Sequence, residues 1–123
     1  MPKCILIVDD SALIRRMIRE TLEQQGSWEV SGEAANGREA IEKAQRLSPD
    51  LVVLDLSMPV MNGLEAAREL RRLLPSLPLV MFTTFNTPKL TDEALSAGVR
   101  AAVSKSEPRG LVGEIHALFG LVS

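Results

Sequence analysis

Residues 51–63 read LVVLDLSMPVMNG and decide the fold. Four apolar residues, 51–54, run directly into Asp55, and a Met-Pro turn and a glycine follow. A short continuous apolar run is typical of a strand that is buried on both faces of a parallel sheet. An aspartate at the end of such a strand is either a turn residue or a reactive group, and the rest of the sequence has to distinguish the two.

The same strand pattern recurs along the 123-residue chain and alternates with segments of helical spacing. Strand-like runs cover 4–8, 28–34, 51–54, 78–83 and 100–104, and the 28–34 run has the weaker alternation of an edge strand. Helical spacing of apolar residues covers 11–26, 36–48, 63–74, 87–98 and 108–120. Five strands alternating with five helices predict one α/β domain over residues 1–123, with a parallel sheet covered on both faces.

The composition excludes several classes of function. Hydrophobic residues make up 46% and charged residues 24%, as in ordinary globular proteins. A net charge of −2, 3% aromatic residues and no tyrosine argue against direct nucleic-acid binding by this segment. No apolar run is long enough to cross a membrane, and the N-terminus does not resemble a signal peptide. We therefore expect a cytoplasmic protein without membrane contact, in which Cys4 packs as a small hydrophobic residue.

Chemically capable side chains follow four of the five predicted strands. Asp9 and Asp10 follow the first strand, Asp55 follows the third, Thr83 ends the fourth and Lys105 follows the fifth. Taken singly, each has an ordinary interpretation, such as acids at a helix N-terminus or a turn aspartate. In an open parallel sheet, however, the functional crevice lies beyond the carboxyl ends of the strands. These five side chains are therefore predicted to converge.

Three carboxylates that lie close together repel one another and require a counter-charge. Mg²⁺ suits such a site, because it prefers carboxylates, carbonyls and water, and it can also bridge to a phosphoryl oxygen. Lys105 and Thr83 are suitable donors to phosphate oxygens. Asp55 is then the central carboxylate, in a position to act as a nucleophile toward phosphorus.

The motifs that carry this chemistry are similar to those of a known family. They are VDDS at 8–11, VLDLSMPVMNG at 53–63, VMFT at 80–83, AG at 97–98 and Lys105 at a strand end. In this order, and over essentially the whole chain, they resemble the receiver domain of two-component response regulators. The resemblance implies a flavodoxin-like, doubly wound sheet of five parallel strands in the order 2-1-3-4-5.

The resemblance also implies the metal ligands. Asp10 would coordinate Mg²⁺ directly and Asp9 largely through water. Asp55 and the backbone carbonyl of Ser57 would complete the protein ligands.

The same resemblance implies how the site works. Asp55 would accept a phosphoryl group from the phosphohistidine of a sensor histidine kinase or a phosphotransfer protein. Thr83 and Lys105 would bind the phosphoryl oxygens, and their movement would change the surface around the fourth and fifth strands. The domain would catalyse only its own phosphorylation and dephosphorylation and would otherwise not be an enzyme.

Three positions depart from the family pattern. Ala102 stands where the family often has an aromatic residue three positions before the lysine. Ser106 replaces the usual proline after the lysine, so we expect a trans peptide bond there, since a cis bond would cost roughly 2.5–4 kcal/mol. Thr84 is larger than the usual residue after the threonine and is expected to restrict access to the site.

Two other functions compete with this interpretation. A Mg²⁺-dependent phosphohydrolase of the haloacid dehalogenase type also uses an aspartate nucleophile, but it places a second acid two residues later, where this chain has Ser57, and 123 residues leave no room for a cap domain. A degenerate receiver that binds partners without phosphorylation is favoured by Ala102 and Thr84. It is opposed by the five intact chemical positions.

The sequence also suggests partners. The stretch KSEPRGLVGEI at 105–115 resembles receivers joined to helix-turn-helix output domains, which slightly favours a receiver joined to such an output domain over a stand-alone receiver. A phosphorylation-dependent homodimer through the fourth helix, fifth strand and fifth helix is a family possibility. Arg15, Arg16 and Arg19 on the first helix are candidates for kinase docking. His116 is expected to be structural or solvent-facing rather than a phosphodonor.

Overall fold

A computed structural model describes residues 2–58, 60–84 and 87–120 of the chain. Strand and helix alternate five times along it. The strands are β1 (Lys3–Val8), β2 (Trp28–Ala34), β3 (Leu51–Leu54), β4 (Leu79–Thr83) and β5 (Ala101–Ser104). The helices are α1 (Ala12–Glu23), α2 (Gly37–Leu47), α3 (Gly63–Leu73), α4 (Pro88–Ser96) and α5 (Pro108–Gly120). The predicted strand boundaries differ by one residue at the starts of β1, β4 and β5.

The five strands form one parallel sheet in the order β2-β1-β3-β4-β5. This confirms the flavodoxin-like, doubly wound sheet and the edge position of the second strand. The pairing of β1 with β2 contains a bulge, because Ile5 pairs with Val30 whereas Leu6 pairs with Gly32. Ser31 is the extra residue, and an extra residue reverses which face the following side chains occupy.

Two hydrophobic clusters cover the two faces of the sheet. Alternate residues of the buried strands point to opposite faces, so that Ile5 and Val53 join the cluster against α1 and α5, while Leu6 joins the one against α2, α3 and α4. The bulge changes the face that β2 residues occupy. Val30 belongs to the cluster against α1 and α5, but Ala34, four residues later, belongs to the cluster against α2, α3 and α4. The core therefore sits on both sides of the sheet, as the sequence predicts.

The helices begin at side-chain caps that the sequence carries. Ser11, Asn36, Asn62 and Thr87 each accept a hydrogen bond from the backbone N–H three residues later. At Asn62 the backbone N–H also donates to the side chain of Glu65, which completes a capping box. Because Ser11 and Asn62 directly follow the loops after β1 and β3, these caps fix the backbone around the predicted site. Within the described residues, no helix is long and apolar enough to cross a membrane.

Candidate functional site

The backbone at the carboxyl edge of the sheet is held by hydrogen bonds that continue from the strands. The Asp55 N–H donates to the carbonyl of Val8 at 2.9 Å, and the Asp9 N–H donates to the carbonyl of Ala34 at 3.0 Å. These bonds extend the parallel pairing by one residue past each strand. The two aspartates are therefore fixed next to each other on neighbouring strands, β1 and β3.

The three predicted carboxylates lie together. One carboxylate oxygen from each of Asp9, Asp10 and Asp55 lies within 4.8 Å of the other two. Asp9 is 1% exposed and Asp55 is 5% exposed, whereas Asp10 faces solvent. Asp9 Oδ1 also accepts a hydrogen bond of 2.9 Å from the N–H of Ser11, which ties this carboxylate to the cap of α1.

Lys105 lies between two of these acids. Its Nζ donates to Asp9 Oδ2 at 2.7 Å and is 3.4 Å from Asp55 Oδ1. Burial would lower the pKa of Lys105, but the hydrogen bond to Asp9 and the charge of Asp55 raise it above its usual value. The lysine is therefore a permanent cation in the site.

Asp55 is in a less favourable position as an anion. Burial, and then the nearby charge of Asp9, raise the pKa of Asp55, while Lys105 acts in the opposite direction. The net shift is upward, so one ammonium does not fully compensate the acids around it.

The residues of this edge fit a divalent hard cation. Three carboxylates and one ammonium carry a summed charge of about −2, which a divalent ion would neutralise. The ligand atoms are oxygens, as Mg²⁺ prefers, and the exposed Asp10 leaves an open side for water ligands. The Leu56 carbonyl is engaged by the N–H of Gly63 at 2.8 Å, and the metal-binding role of the Ser57 carbonyl stays a prediction.

The loop after Asp55 is anchored on its far side. The carbonyl of Met61 accepts a hydrogen bond of 3.1 Å from the N–H of Gly37 at the start of α2. Met58 and Met61 pack against the hydrophobic cluster on the α2, α3 and α4 side of the sheet. Val60 adopts a left-handed backbone conformation, with φ 69°. The predicted Met-Pro turn includes Pro59, which lies outside the described residues.

Thr83 and the lysine loop border the site on the β4–β5 side. Thr83 is 4% exposed, and its carbonyl accepts a 2.9 Å hydrogen bond from the N–H of Lys105. Thr84 is exposed, and its effect on access to the site stays a prediction. Ala102 is half-buried on β5 in register with Met81, so no aromatic side chain occupies that position.

The loop after Lys105 has the trans geometry predicted for it, since the described part of the chain contains no cis peptide bond. The N–H of Ser106 donates to Ser104 Oγ at 3.2 Å, and the two serine hydroxyls are 2.7 Å apart. A short serine-based turn therefore replaces the proline turn of the family pattern.

A further contact to the acids was not foreseen from the sequence. Arg15 Nη1 donates to the carbonyl of Asp9 at 2.6 Å, and its Nε donates to Glu33 Oε1 at 2.9 Å. Arg19 binds the other Glu33 oxygen at 2.7 Å. Of the three arginines considered for kinase docking, Arg15 and Arg19 are thus engaged within the domain, and Arg16 is the one that faces solvent. The sequence shows two arginines four residues apart on the first helix but does not show that they face Glu33.

His116 lies on α5, far from the acids in the sheet. Its ring packs on Trp28 with a centroid distance of 4.4 Å, and its Nε2 is 3.3 Å from Gln25 Oε1. His116 is thus exposed and packed on Trp28, in agreement with the expectation that it is structural or solvent-facing. Cys4 is half-buried in β1 and is a free thiol.

Comparison with known proteins gives the family. The sequence profile of the response regulator receiver domain matches residues 5–116. The chain is 39% identical over 105 residues to the chemotaxis protein CheY of Thermotoga maritima, covering 85% of this chain and 87% of CheY. It is 45% identical over 102 residues to a protein-glutamate methylesterase/protein-glutamine glutaminase of Alkalilimnicola ehrlichii, but spans only 26% of that protein's length.

The fold has close counterparts among solved structures. A two-component response regulator of the LuxR family from Aurantimonas sp. superposes with a TM-score of 0.93 at 31% identity, covering 98% of this chain and 86% of that structure. These matches confirm the resemblance drawn from the motifs at 8–11 and 53–63. The chain belongs to the family of response regulator receiver domains, the signalling domains of two-component systems.

Proposed function

We propose that this domain accepts a phosphoryl group on Asp55 from the phosphohistidine of a sensor histidine kinase or phosphotransfer protein, in a Mg²⁺-dependent reaction. The observation that carries the proposal is the position of Lys105, which contacts both Asp9 and Asp55. Because Lys105 lies between Asp9 and Asp55, its ammonium is suitably placed to bind an oxygen of a phosphoryl group attached to Asp55.

Asp55 is the acceptor in this proposal because it is central, immobile and partly compensated. Its backbone is tied to β1, and its carboxylate lies against Lys105 on one side and the other two acids on the other. One Asp55 oxygen attacks phosphorus while the bond from phosphorus to the imidazole nitrogen breaks. The electron pair of that bond remains on the imidazole, and an acyl phosphate results.

The remaining residues stabilise the transferring group. When bound, Mg²⁺ neutralises charge on the phosphoryl oxygens and lowers the repulsion between the acids. Asp10, exposed at the mouth of the site, and Asp9, buried beside it, would hold the ion together with Asp55 and the Ser57 carbonyl. Lys105 would exchange part of its contact with Asp55 for a phosphoryl oxygen, and the Thr83 hydroxyl would donate to another.

Output follows from the loss of the Lys105–Asp55 contact. Since Ala102 supplies no aromatic side chain, the movement would be transmitted through the backbone of β4 and β5, where the Lys105 N–H is bonded to the Thr83 carbonyl. The receiving partner would be an output domain, a separate protein or a second copy of the domain in a phosphorylation-dependent dimer. Nucleic-acid contact would belong to such an output domain and not to this segment. We place the domain in the cytoplasm, as the kinase partner requires.

The proposal is tested by intact-mass spectrometry of the protein incubated with Mg²⁺ and acetyl phosphate. We expect the wild type to gain one phosphoryl group with Mg²⁺ and none when EDTA replaces Mg²⁺. Asp55→Asn should gain none. Asp92→Asn, a change of the same chemistry on the exposed surface of α4, serves as the matched control and should react like the wild type.

The outcomes separate the competing functions. A wild type that gains no phosphoryl group contradicts the proposal and supports a degenerate receiver, a function that the contacts among the three aspartates and Lys105 argue against. Equal labelling of Asp55→Asn would mean that another residue is the acceptor. Continuous release of phosphate from simple phosphomonoesters would instead indicate a phosphohydrolase.

A further inference from the structure

We propose that Arg15 is a positioning residue for the metal site: its guanidinium fixes the peptide between Asp9 and Asp10 and so sets the affinity of these acids for a divalent cation. This inference rests on the proposed function of the same site. It goes beyond that proposal by assigning a role to a side chain outside the acids, the threonine and the lysine.

The first step is the contact of Arg15 with Asp9. Every polar group of Asp9 is engaged: its N–H donates to Ala34, Oδ1 accepts from Ser11 and Oδ2 accepts from Lys105. Its carbonyl accepts from Arg15 Nη1 at 2.6 Å, and this bond comes from a charged donor. The Asp9 carbonyl belongs to the same rigid peptide unit as the N–H of Asp10. Holding that carbonyl therefore also holds the direction in which the exposed Asp10 leaves the strand.

The second step is how Arg15 itself is held. Its Nε donates to Glu33 Oε1, and its side chain is only 18% exposed. Glu33 is held by two further side chains, since Arg19, also of α1, binds its other carboxylate oxygen and Lys43 of α2 donates to its backbone carbonyl. The guanidinium is thus a bridge between an anchored glutamate and the Asp9 carbonyl, a geometry that the planar fork of arginine allows.

The third step is the reason why Glu33 faces α1. Residues alternate between the two faces of β2, and Val30 points to the face that α1 and α5 cover. Without a bulge, Glu33 would therefore point to the opposite side. The extra residue Ser31 reverses the alternation, so that Ala34 packs with the α2–α4 cluster and Glu33 meets Arg15. The bulge in the edge strand is what connects β2 to the acids of β1.

Two roles for Arg15 lead to opposite expectations. If the guanidinium acted only through its charge, its removal would strengthen the binding of a divalent cation, since like charges repel. If it positions the Asp9–Asp10 peptide, its removal weakens binding, because partners that orient metal ligands typically contribute about 10–100-fold to metal affinity. The sign of the change therefore distinguishes the roles.

The experiment measures Mn²⁺ affinity of the full chain by electron paramagnetic resonance of the free ion, with Mg²⁺ competition. We expect Arg15→Met to bind Mn²⁺ about tenfold more weakly than the wild type. Arg15→Lys keeps the charge but cannot bridge Glu33 and the Asp9 carbonyl, and it should bind severalfold more weakly. Two variants serve as controls. Arg19→Met also removes one positive charge and one contact with Glu33, but Arg19 does not contact Asp9, and Arg16→Met removes an exposed arginine. Both variants should bind Mn²⁺ as tightly as the wild type or more tightly.

Thermal unfolding of each variant, followed by circular dichroism, reports whether it is folded at the temperature of the titration. Unchanged or tighter binding by both Arg15 variants overturns the inference while leaving the proposed function intact. Equal weakening by Arg19→Met would also overturn it, since the effect would then belong to Glu33 in general. If the wild type binds no Mn²⁺ at all, the metal site fails together with the inference. Weakening confined to Arg15→Met and Arg15→Lys supports it.

Discussion

Gly63 lies directly against the backbone carbonyl of Asp55, and a Cβ added to this glycine would lie 2.1 Å from the carbonyl oxygen. The N–H of Gly63 also donates to the carbonyl of Leu56 at 2.8 Å. Because Gly63 is the first residue of α3 and Asn62 is its cap, the N-terminus of α3 is pressed onto the loop of the proposed acceptor. The glycine of the family motif is thus a packing requirement of the site.

The first prediction is that Gly63→Ala destabilises the domain. The added methyl group meets backbone atoms rather than flexible side-chain ends, so the loop or the helix has to shift. We expect a loss of about 3 kcal/mol in the free energy of unfolding, the upper end of the usual cost of overpacking. Urea denaturation measures it, and the displaced loop should also slow phosphorylation by acetyl phosphate.

The matched control is Gly113→Ala. Gly113 lies in the interior of α5, is exposed, and has no heavy atom within 4 Å of an added Cβ. Alanine favours a helix over glycine there by roughly 0.5–1 kcal/mol, so this variant should be stabilised. If Gly63→Ala were as stable as Gly113→Ala, the close approach to Asp55 would not be a constraint.

The fold and the convergence of the three aspartates with Lys105 could be predicted because their signals are local or follow from strand direction. The apolar runs and caps mark each element, and parallel strands bring their carboxyl ends to one edge regardless of how side chains pack. Asp55 and Lys105 are 50 residues apart in sequence, yet their convergence needs only the strand alternation.

The connection from Glu33 to Asp9 could not be predicted in this way. It depends on the bulge at Ser31, which reverses the face of one residue, and on the rotation of α1 that turns Arg15 inward. Neither leaves a periodic signal, since a single extra residue in a weakly alternating edge strand resembles ordinary irregularity. The helical spacing of the three arginines on α1 therefore suggests only a docking surface, although two of the three bind Glu33.

A second prediction concerns Lys105. Asp9 is only 1% exposed, and Lys105→Met removes the ammonium that pairs with it. The buried carboxylates of Asp9 and Asp55 are then left side by side without a counter-charge. Removal of one partner from a buried pair leaves an uncompensated charge, so we expect a loss of roughly 3 kcal/mol in metal-free buffer. Excess Mg²⁺ should recover a larger share of stability in this variant than in the wild type, because the ion then supplies the missing charge.

Chemical denaturation with EDTA or with Mg²⁺ measures both effects. Lys89→Met, on the exposed side of α4, removes the same charge away from the acids and should change neither stability nor the response to Mg²⁺. An equal Mg²⁺ response in Lys105→Met and the wild type would contradict the assignment of Lys105 as the main counter-charge.

A third prediction concerns acid stability. Burial alone would raise the pKa of Glu33, but hydrogen bonds from Arg19 and then Arg15 lower it below the ordinary value of 4.5. A depressed folded-state pKa stabilises the fold above the unfolded value, and that contribution is lost as the pH falls through the folded value. Glu33→Gln should therefore cost roughly 1 kcal/mol at neutral pH, since the pairs are only half-buried. The difference from the wild type should shrink as the pH falls below 4.5 and disappear below the lowered pKa of Glu33.

Urea denaturation of both proteins across the acid range tests this prediction. Glu29→Gln, a change of another β2 glutamate that is exposed, is the control and should show no such pH dependence. A constant difference between Glu33→Gln and the wild type at all pH values would mean that packing, and not the charge, accounts for the effect.

A fourth prediction is that the ionised carboxylate of Asp55 lowers the stability of the fold. Burial and the charge of Asp9 raise the pKa of Asp55 above its ordinary value of 3.8, so the ionised form is better tolerated in the unfolded chain than in the fold. Between these two values the folded chain holds more protons, and stability falls as the pH rises. The penalty is absent below the ordinary pKa and complete above the raised one.

Asp55→Asn removes that penalty, so in EDTA at neutral pH the variant should be more stable than the wild type. The gain should shrink as the pH falls toward about 4, where the wild-type carboxyl becomes neutral. In excess Mg²⁺ the difference should become smaller or change sign, because the wild type gains more from the bound ion than a variant with one carboxylate fewer. Thermal unfolding under the three conditions decides the matter. A variant less stable than the wild type in EDTA at neutral pH would mean that the attraction of Lys105 outweighs burial, and that Asp55 is held as a favourable ion pair before any metal or phosphoryl group arrives.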